Sequence, residues 1–405
     1  MKKPSILVIF LTVFLDLVGF GIVLPQLPVY SKQFGASGLM VGFIVASYSI
    51  MQFFFAPIWG RWSDRVGRRP IILISTFGSV ISYSIFAVAS GMGGSAGLVI
   101  LLASRMFAGV CGANITVAQA YMADISPPEK RSKSMGLIGM AFGLGFVFGP
   151  AIGGLASGFG ETVPGWVAAT LCLANFILAT AILKESRQPS SDPVAARPRA
   201  TTWKETLSST HVGGLIKVFF MTTFCFTCFE LTLGLLIIAL FQMEPEAAST
   251  KKTAGYLFAY CGIIGAMVQG GLIGRLVKTL GEPRLIITGI FLFSVSLFII
   301  PFVGGMATLL LGLLLLTVSS SVIRPPLFGT ISQLTSDDQQ GSVLGVAQGM
   351  GSLARCVGPI FAGFLFDIRP AAPYLICGVI AIFAGILAAK SVKGVQLPST
   401  AKAAK

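Results

Sequence analysis

Of 405 residues, 54% are hydrophobic and only 11% charged, and the mean hydropathy is +0.86. Soluble chains carry about 25% charged residues, so a water-soluble globular protein is excluded, and the 48 glycines have no three-residue period that would mark a fibre. The net charge of +14 sits in short loops between apolar stretches, which reads as membrane orientation rather than nucleic-acid binding.

A membrane-crossing helix needs roughly 20 apolar residues, so twelve would use about 240 and leave about 165 for loops and tails. Hydropathy predicts spans at 5–29, 39–60, 71–90, 97–121, 134–157, 164–183, 214–241, 254–274, 284–303, 306–328, 341–365 and 372–391. The first follows Met1-Lys2-Lys3-Pro4 as a signal peptide would, but it is too long, holds Asp16 and lacks a clear small-residue cleavage site. It is read as a retained helix. Asp16 lies about ten residues into it, roughly 15 Å deep. A carboxylate there is costly unless paired, hydrated or protonated. It is a candidate proton-coupling residue, with a structural carboxylate held by hydrogen bonds as the alternative.

Span 2 ends in Gly60-Arg61-Trp62-Ser63-Asp64-Arg65-Val66-Gly67-Arg68-Arg69. A short loop between two membrane helices needs glycine where the chain turns tightly. Span 4 carries Arg105, which cannot release its proton and must find a carboxylate, a carbonyl or water. Asp16 is its expected partner if spans 1 and 4 are neighbours. Asp124 closes span 4 near the loop Pro127-Pro128-Glu129-Lys130-Arg131. In span 5, Gly145, Gly149 and Gly153 share one face and Gly154 adjoins them, permitting close helix approach. Pro150 bends that helix.

The longest polar stretch runs from Lys184 to about Val212 with Pro189, Pro193 and Pro198, and its middle reads as a linker. It divides the chain into a six-helix bundle at 1–183, a cytoplasmic linker at 184–213 and a second bundle at 214–405. In span 7, Glu230 is the only acidic residue deep in the second half. With Arg105, Arg355 of span 11 is counted as one of two deep cations. Polar Gln52, Asn114, Gln119, Gln269 and Gln348 and aromatic Tyr48 and Phe226 are candidates to line a substrate cavity, with helix packing the plainer account of each one, and Arg355, just before Gly358-Pro359, is counted with that cavity. Cys225-Phe226-Thr227-Cys228 lies within an apolar helix and reads as structural. No His/Cys cluster has metal-ligand spacing, and the glycine runs lack a Walker-type lysine, so no cofactor is expected.

The halves echo each other. Gly60 to Gly67 after span 2 corresponds to Gly274 to Gly281 after span 8, 214 residues on, and Gly149-Pro150 corresponds to Gly358-Pro359, 209 residues on. A duplicated six-helix unit is expected, as in secondary transporters that bind substrate between their halves. Basic residues crowd one side of the membrane (among them Arg61, Arg65, Arg68, Arg69, Lys130, Arg131, Lys184, Arg275, Lys278 and Arg284). The other side holds only Lys32, Lys251, Lys252 and Arg369. With the basic side inside, both termini are cytoplasmic.

These motifs resemble the major facilitator superfamily. The loop Gly60–Arg69 looks like its signature between helices 2 and 3. Leu15-Asp16 with Gly21, Ile22 and Pro25 is similar to the first-helix motif of its twelve-helix drug:proton antiporters. Arg105 with Gly109, Gly112 and Ala113 is similar to their fourth-helix motif. Gly139, Gly143, Gly145, Gly149, Pro150, Gly153 and Gly154 resemble the fifth-helix antiporter motif, in the order of the tetracycline-efflux-like branch. The chain departs from tetracycline exporters in span 9, which has no acidic residue, and in span 8, which has Gln269 and no histidine.

The resemblance implies an all-α fold of two pseudo-symmetric six-helix bundles and proton-coupled export of a small amphipathic compound by alternating access. It implies a conformational gate of Gly60, Asp64, Arg65, Gly67, Arg68, Arg69, Asp124 and Arg131. By their depth rather than by the resemblance, Asp16 and Glu230 are the candidate proton-coupling carboxylates, with Arg105 to bias their protonation. The expected partners are substrate, protons and the lipid bilayer, with the chain a monomer in the cell inner membrane. The alternatives are a facilitator or symporter of a metabolite or lipid, a membrane-embedded enzyme, and a non-transporting receptor.

Overall fold

The computed structural model describes residues 6–24, 26–35, 38–127, 130–186, 202–242, 248–336 and 339–393. Met1-Lys2-Lys3-Pro4, Pro25 of the first-helix motif, the linker prolines Pro189, Pro193 and Pro198, and the C-terminal lysines lie outside them. Among the described residues sixteen α-helices follow in chain order: α1 Ile6–Val23, α2 Gln26–Gln33, α3 Gly38–Val66, α4 Arg68–Met92, α5 Gly94–Gly112, α6 Ile115–Ile125, α7 Arg131–Ser157 and α8 Val163–Ile182. Then come α9 Trp203–Ser208, α10 Val212–Phe241, α11 Ala248–Met267, α12 Ile273–Leu280, α13 Glu282–Ile299, α14 Met306–Gln333, α15 Gln340–Ile368 and α16 Ala372–Val392. Among the described residues there is no strand.

Among the described residues, twelve stretches are long and apolar enough to cross a membrane, and they match the twelve predicted spans. The fold is an all-α bundle of two halves.

The breaks in these helices have local causes. Gly67 has φ 107°, a region open to glycine at little cost, and it lets α4 begin two residues after α3 ends. The fourth span is interrupted between α5 and α6, where Asn114 occupies the joint. Val268–Leu272 winds as a π-turn between α11 and α12, so Gln269 sits where the helical register slips. Prolines stand inside α7 (Pro150), α14 (Pro325, Pro326) and α15 (Pro359), each removing one backbone donor.

The helices gather into two compact units, each discontinuous in sequence. The first holds Met1–Ser126, Leu144–Thr201 and Thr335–Ser352; its core of Ile22, Leu27, Tyr83, Phe86, Leu101 and Cys172 lies where α1, α4, α5 and α8 pack together. The second holds Pro127–Gly143, Thr202–Leu334 and Leu353–Lys405, with α13 packed on α14 and α16, and α10 on α16. Val268, Ile273, Val277, Leu285 and Val322 form one of its apolar clusters.

Candidate functional site

In the first unit, the interruption of the fourth span turns the Asn114 side chain toward α1. Its Nδ2 donates to Asp16 Oδ2 at 2.9 Å. Ser79 of α4 is the other polar neighbour of the carboxylate. Asp16 Oδ1 is buried and has no hydrogen-bond partner. Asp16 and Arg105, expected as an ion pair, do not form one. Arg105 instead lies over the Tyr48 ring at 5.0 Å and the Phe20 ring at 5.7 Å, with Tyr83 beside it. Its charge is stabilised by ring faces rather than by a carboxylate.

The glycines after Arg105 explain that arrangement. A Cβ at Gly112 would collide with the Tyr48 hydroxyl, and one at Gly109 with the Tyr48 backbone. Both glycines therefore seat Tyr48 against α5. Gln52 Nε2 donates to the Tyr48 hydroxyl at 3.1 Å and to the Gly112 carbonyl at 3.0 Å, while the Ser352 hydroxyl reaches Gln52 Oε1 at 3.5 Å. Gln348 Nε2 donates to Gln119 Oε1 at 2.9 Å, and both side chains are buried. Tyr48, Gln52, Gln119 and Gln348 thus belong to one unit's internal hydrogen-bond network.

The second unit contains a cation that the sequence reading missed. Arg324, in α14, is a charged neighbour of Glu230 in α10, and Arg355 in α15 is the other. Among the described residues the two deep cations expected, Arg105 and Arg355, are therefore joined by a third, Arg324. The Arg324 guanidinium lies over Phe142 at 5.5 Å and Phe219 at 5.4 Å. The available signal was an arginine inside an apolar span, immediately before Pro325-Pro326. Phe226 packs on Phe229 at 5.9 Å along α10. Gln269 is fitted against α7: a Cβ at Gly139 would overlap its amide, and Gly136 faces its backbone carbonyl.

The signature loop forms a buried charge cluster. Arg68 is fully buried and donates to Asp64 Oδ1 at 2.6 Å, to Asp124 Oδ2 at 3.0 Å and to the Ser63 hydroxyl at 2.7 Å. Asp64 also accepts from the backbone N–H groups of Gly341 at 3.1 Å and Ser342 at 2.8 Å. It therefore caps the N-terminus of α15, where unpaired donors and the helix dipole favour an anion. Gly60 and Gly341 meet so closely that a Cβ on either would strike the other's carbonyl.

Glu185 caps α4 in the same manner, accepting from Arg68 N at 2.9 Å and Arg69 N at 3.1 Å. Arg69 donates to the Leu183 carbonyl, and Ser186 donates to Asp124. Arg65 is exposed. Arg131, expected in this cluster, donates instead to the Ser332 carbonyl at the end of α14.

The glycine stripe of α7 faces α1. A Cβ at Gly149 would stand 2.5 Å from the Gly21 Cα, and one at Gly145 would stand 2.8 Å from the Leu17 Cβ. Gly153 faces the Ile22 backbone, and Pro150 flanks Gly21. Gly154 is the exception: it is exposed with open space around it, because it lies on the far side of the stripe.

Twelve apolar helices with ionisable side chains in their interiors define a polytopic membrane transporter. The sequence profile of the Major Facilitator Superfamily matches residues 9–358 and again 270–404, and the chain belongs to that family. Tetracycline resistance protein, class E, of Escherichia coli is 31% identical over 373 residues, covering 90% of this chain and 88% of that protein. Multidrug resistance protein 2 of Bacillus subtilis is 29% identical over 387 residues, covering 94% and 93%. The crystal structure of the human organic anion transporter MFSD10 superposes with a TM-score of 0.82 at 25% identity, over 96% of this chain and all of that one.

Proposed function

We propose that this transporter is a proton-coupled antiporter that exports a small amphipathic compound by alternating access. Its place is the cell inner membrane, with both termini cytoplasmic, and it works as a monomer. The observation that supports this best is Asp16: a carboxylate inside α1, held through one oxygen by Asn114 and with the other left unbonded. An acid in that position can take up and surrender a proton within the membrane. The family tie to drug-resistance proteins supports the substrate class.

In this reading, protonation of Asp16 or Glu230 from outside favours inward opening, and release of the proton inside lets substrate bind. Arg105, stacked on Tyr48 and Phe20, is proposed to bias the loading of that proton through these neighbours rather than by a direct ion pair. The moving bodies are residues 1–183 and 214–405, joined by 184–213. The bonds from Gly341 and Ser342 to Asp64 then link one body to the other and must break on inward opening. Tyr48, Gln52, Gln119, Gln269, Gln348 and Phe226 border the substrate path.

The test is export of a drug probe from proteoliposomes under an imposed proton gradient, with internal pH recorded. Wild-type protein should export while protons move the other way. Asp16→Asn should abolish coupled export while eluting as a folded monomer in detergent. Unchanged export by Asp16→Asn removes Asp16 from the mechanism. Flux indifferent to the gradient makes the protein a facilitator.

A further inference from the structure

We infer that Arg324, with Arg355, Phe142 and Phe219, forms a recognition site for the negatively charged group of an amphipathic aryl substrate. This rests on the transport reading above and adds the sign of the substrate's charge.

The residues come from α7, α10, α14 and α15 within one compact unit. Glu230, Arg324 and Arg355 are mutual electrostatic neighbours, two cations to one anion. Arg324 forms no ion pair with a described carboxylate. It cannot shed its proton, and a guanidinium inside a membrane span is costly unless an anion, dipoles or water stabilise it.

The two rings, Phe142 and Phe219, lie against its face. A guanidinium carries its N–H donors around its edge, so stacking on the face leaves the edge for a carboxylate or sulfonate. Phe142, which is half-buried, offers an apolar surface to the rest of the molecule, while fully buried Phe219 backs the guanidinium. An inorganic anion would use the charge but not the rings.

The repeat sharpens the argument. Asp16 and Glu230 stand 214 residues apart, the same offset as Gly60 and Gly274, and Asn114 and Arg324 stand 210 apart. Each half therefore sets an acid on its first helix near a partner on its fourth. In the first half that partner is a neutral amide, hydrogen-bonded to the acid. In the second it is an arginine accompanied by another arginine.

The test is counterflow in phosphatidylcholine proteoliposomes with three probes: 1-naphthylacetate, 1-naphthylacetamide and tetraphenylphosphonium. Wild-type protein should exchange the carboxylate with a KM about tenfold below that of the amide, the worth of one charge-assisted hydrogen bond. Arg324→Gln should erase this preference, and Arg324→Lys should keep part of it. Acetate should compete poorly.

Equal exchange of carboxylate and amide by wild-type protein would overturn the inference. So would an equal loss of cation and anion flux in both Arg324 variants, or competition by acetate as effective as by naphthylacetate. Exchange of the cation without carboxylate preference would sink the anion site and leave the transport reading standing. Failure to exchange any of the three would sink both.

Discussion

Asn114 converts a costly position for Asp16 into a usable one. Its amide satisfies one carboxylate oxygen and leaves the other without a partner. Asn114→Ala is expected to remove the Asn114 donor from the carboxylate and to slow proton-coupled export by about 10- to 150-fold, since such a bond to a charge is worth roughly 1.5–3 kcal/mol. Initial rates in pH-gradient proteoliposomes check this. An unchanged rate would assign Asn114 to the helix joint alone. Gly112→Ala acts on a different contact: the added methyl meets the Tyr48 hydroxyl. Tyr48 must then leave its seat and take the Gln52 bond with it. Loss of export with normal expression is the expected result, partly restored by Tyr48→Phe.

Asp16, Arg105 and Glu230 were legible in the sequence because a charge inside an apolar run needs no tertiary knowledge to be conspicuous. Their partners were not. The ring stack of Arg105 depends on Phe20 from α1 and Tyr48 from α3 reaching the same point as α5. Arg324 was equally visible by composition; its proximity to Glu230 was not.

The helices show how a duplicated chain divides its labour. The second part of α7 packs on α1 through Gly145, Gly149 and Gly153, while its first part packs on the π-turn through Gly136 and Gly139. The first part of α15 repeats the second arrangement: Gly345 packs on Ala56 and Pro57 of α3. Gly136 and Gly345 stand 209 residues apart, the offset that relates the two Gly-Pro steps. Gly149→Val is expected to force α7 from α1, a strain of about 1–3 kcal/mol or more for an overpacked contact. Reduced thermal stability in detergent reads it out, and Gly154→Val, with open space around it, serves as the tolerated control.

The N-termini of α4 and α15 are each held by a carboxylate placed elsewhere in the chain, Glu185 and Asp64 respectively. Asp64→Ala removes the α15 cap and leaves buried Arg68 with Asp124 as its carboxylate partner. If the cap holds the cytoplasmic ends together, a cysteine introduced at Ser342 should react faster with a membrane-impermeant maleimide in Asp64→Ala inside-out vesicles than without that change. Equal reactivity would reduce the cluster to a structural clamp.

Across the full chain, each half offers an acid on its first helix, but the surroundings differ in charge. The signature loop differs as well. Asp64 and Arg68 of the first half correspond at the 214-residue offset to Lys278 and Glu282 of the second, with the charges reversed. Arg68 is buried in an ion-pair cluster; Lys278 is exposed, and buried Glu282 accepts from Gln333 at 3.3 Å. The buried cluster thus belongs to one half, and a single substitution there should affect gating more than its counterpart in the other. The orientation argument predicts that a reporter active only in the cytoplasm works when fused after Ala195 and after Lys405, and fails when fused after Pro370.

Hydropathy was enough for the number of crossings, and matched glycine motifs at a fixed offset were enough for the repeat. The crossings arise from local composition against a bilayer of fixed thickness. Which side chains meet was settled by folding. The Arg105 ring stack, the Asp64 cap on α15, the turning of Arg131 to Ser332 and the company kept by Arg324 all join residues far apart in the chain. No local pattern encodes such pairings, because they depend on how packed helices bring their faces together.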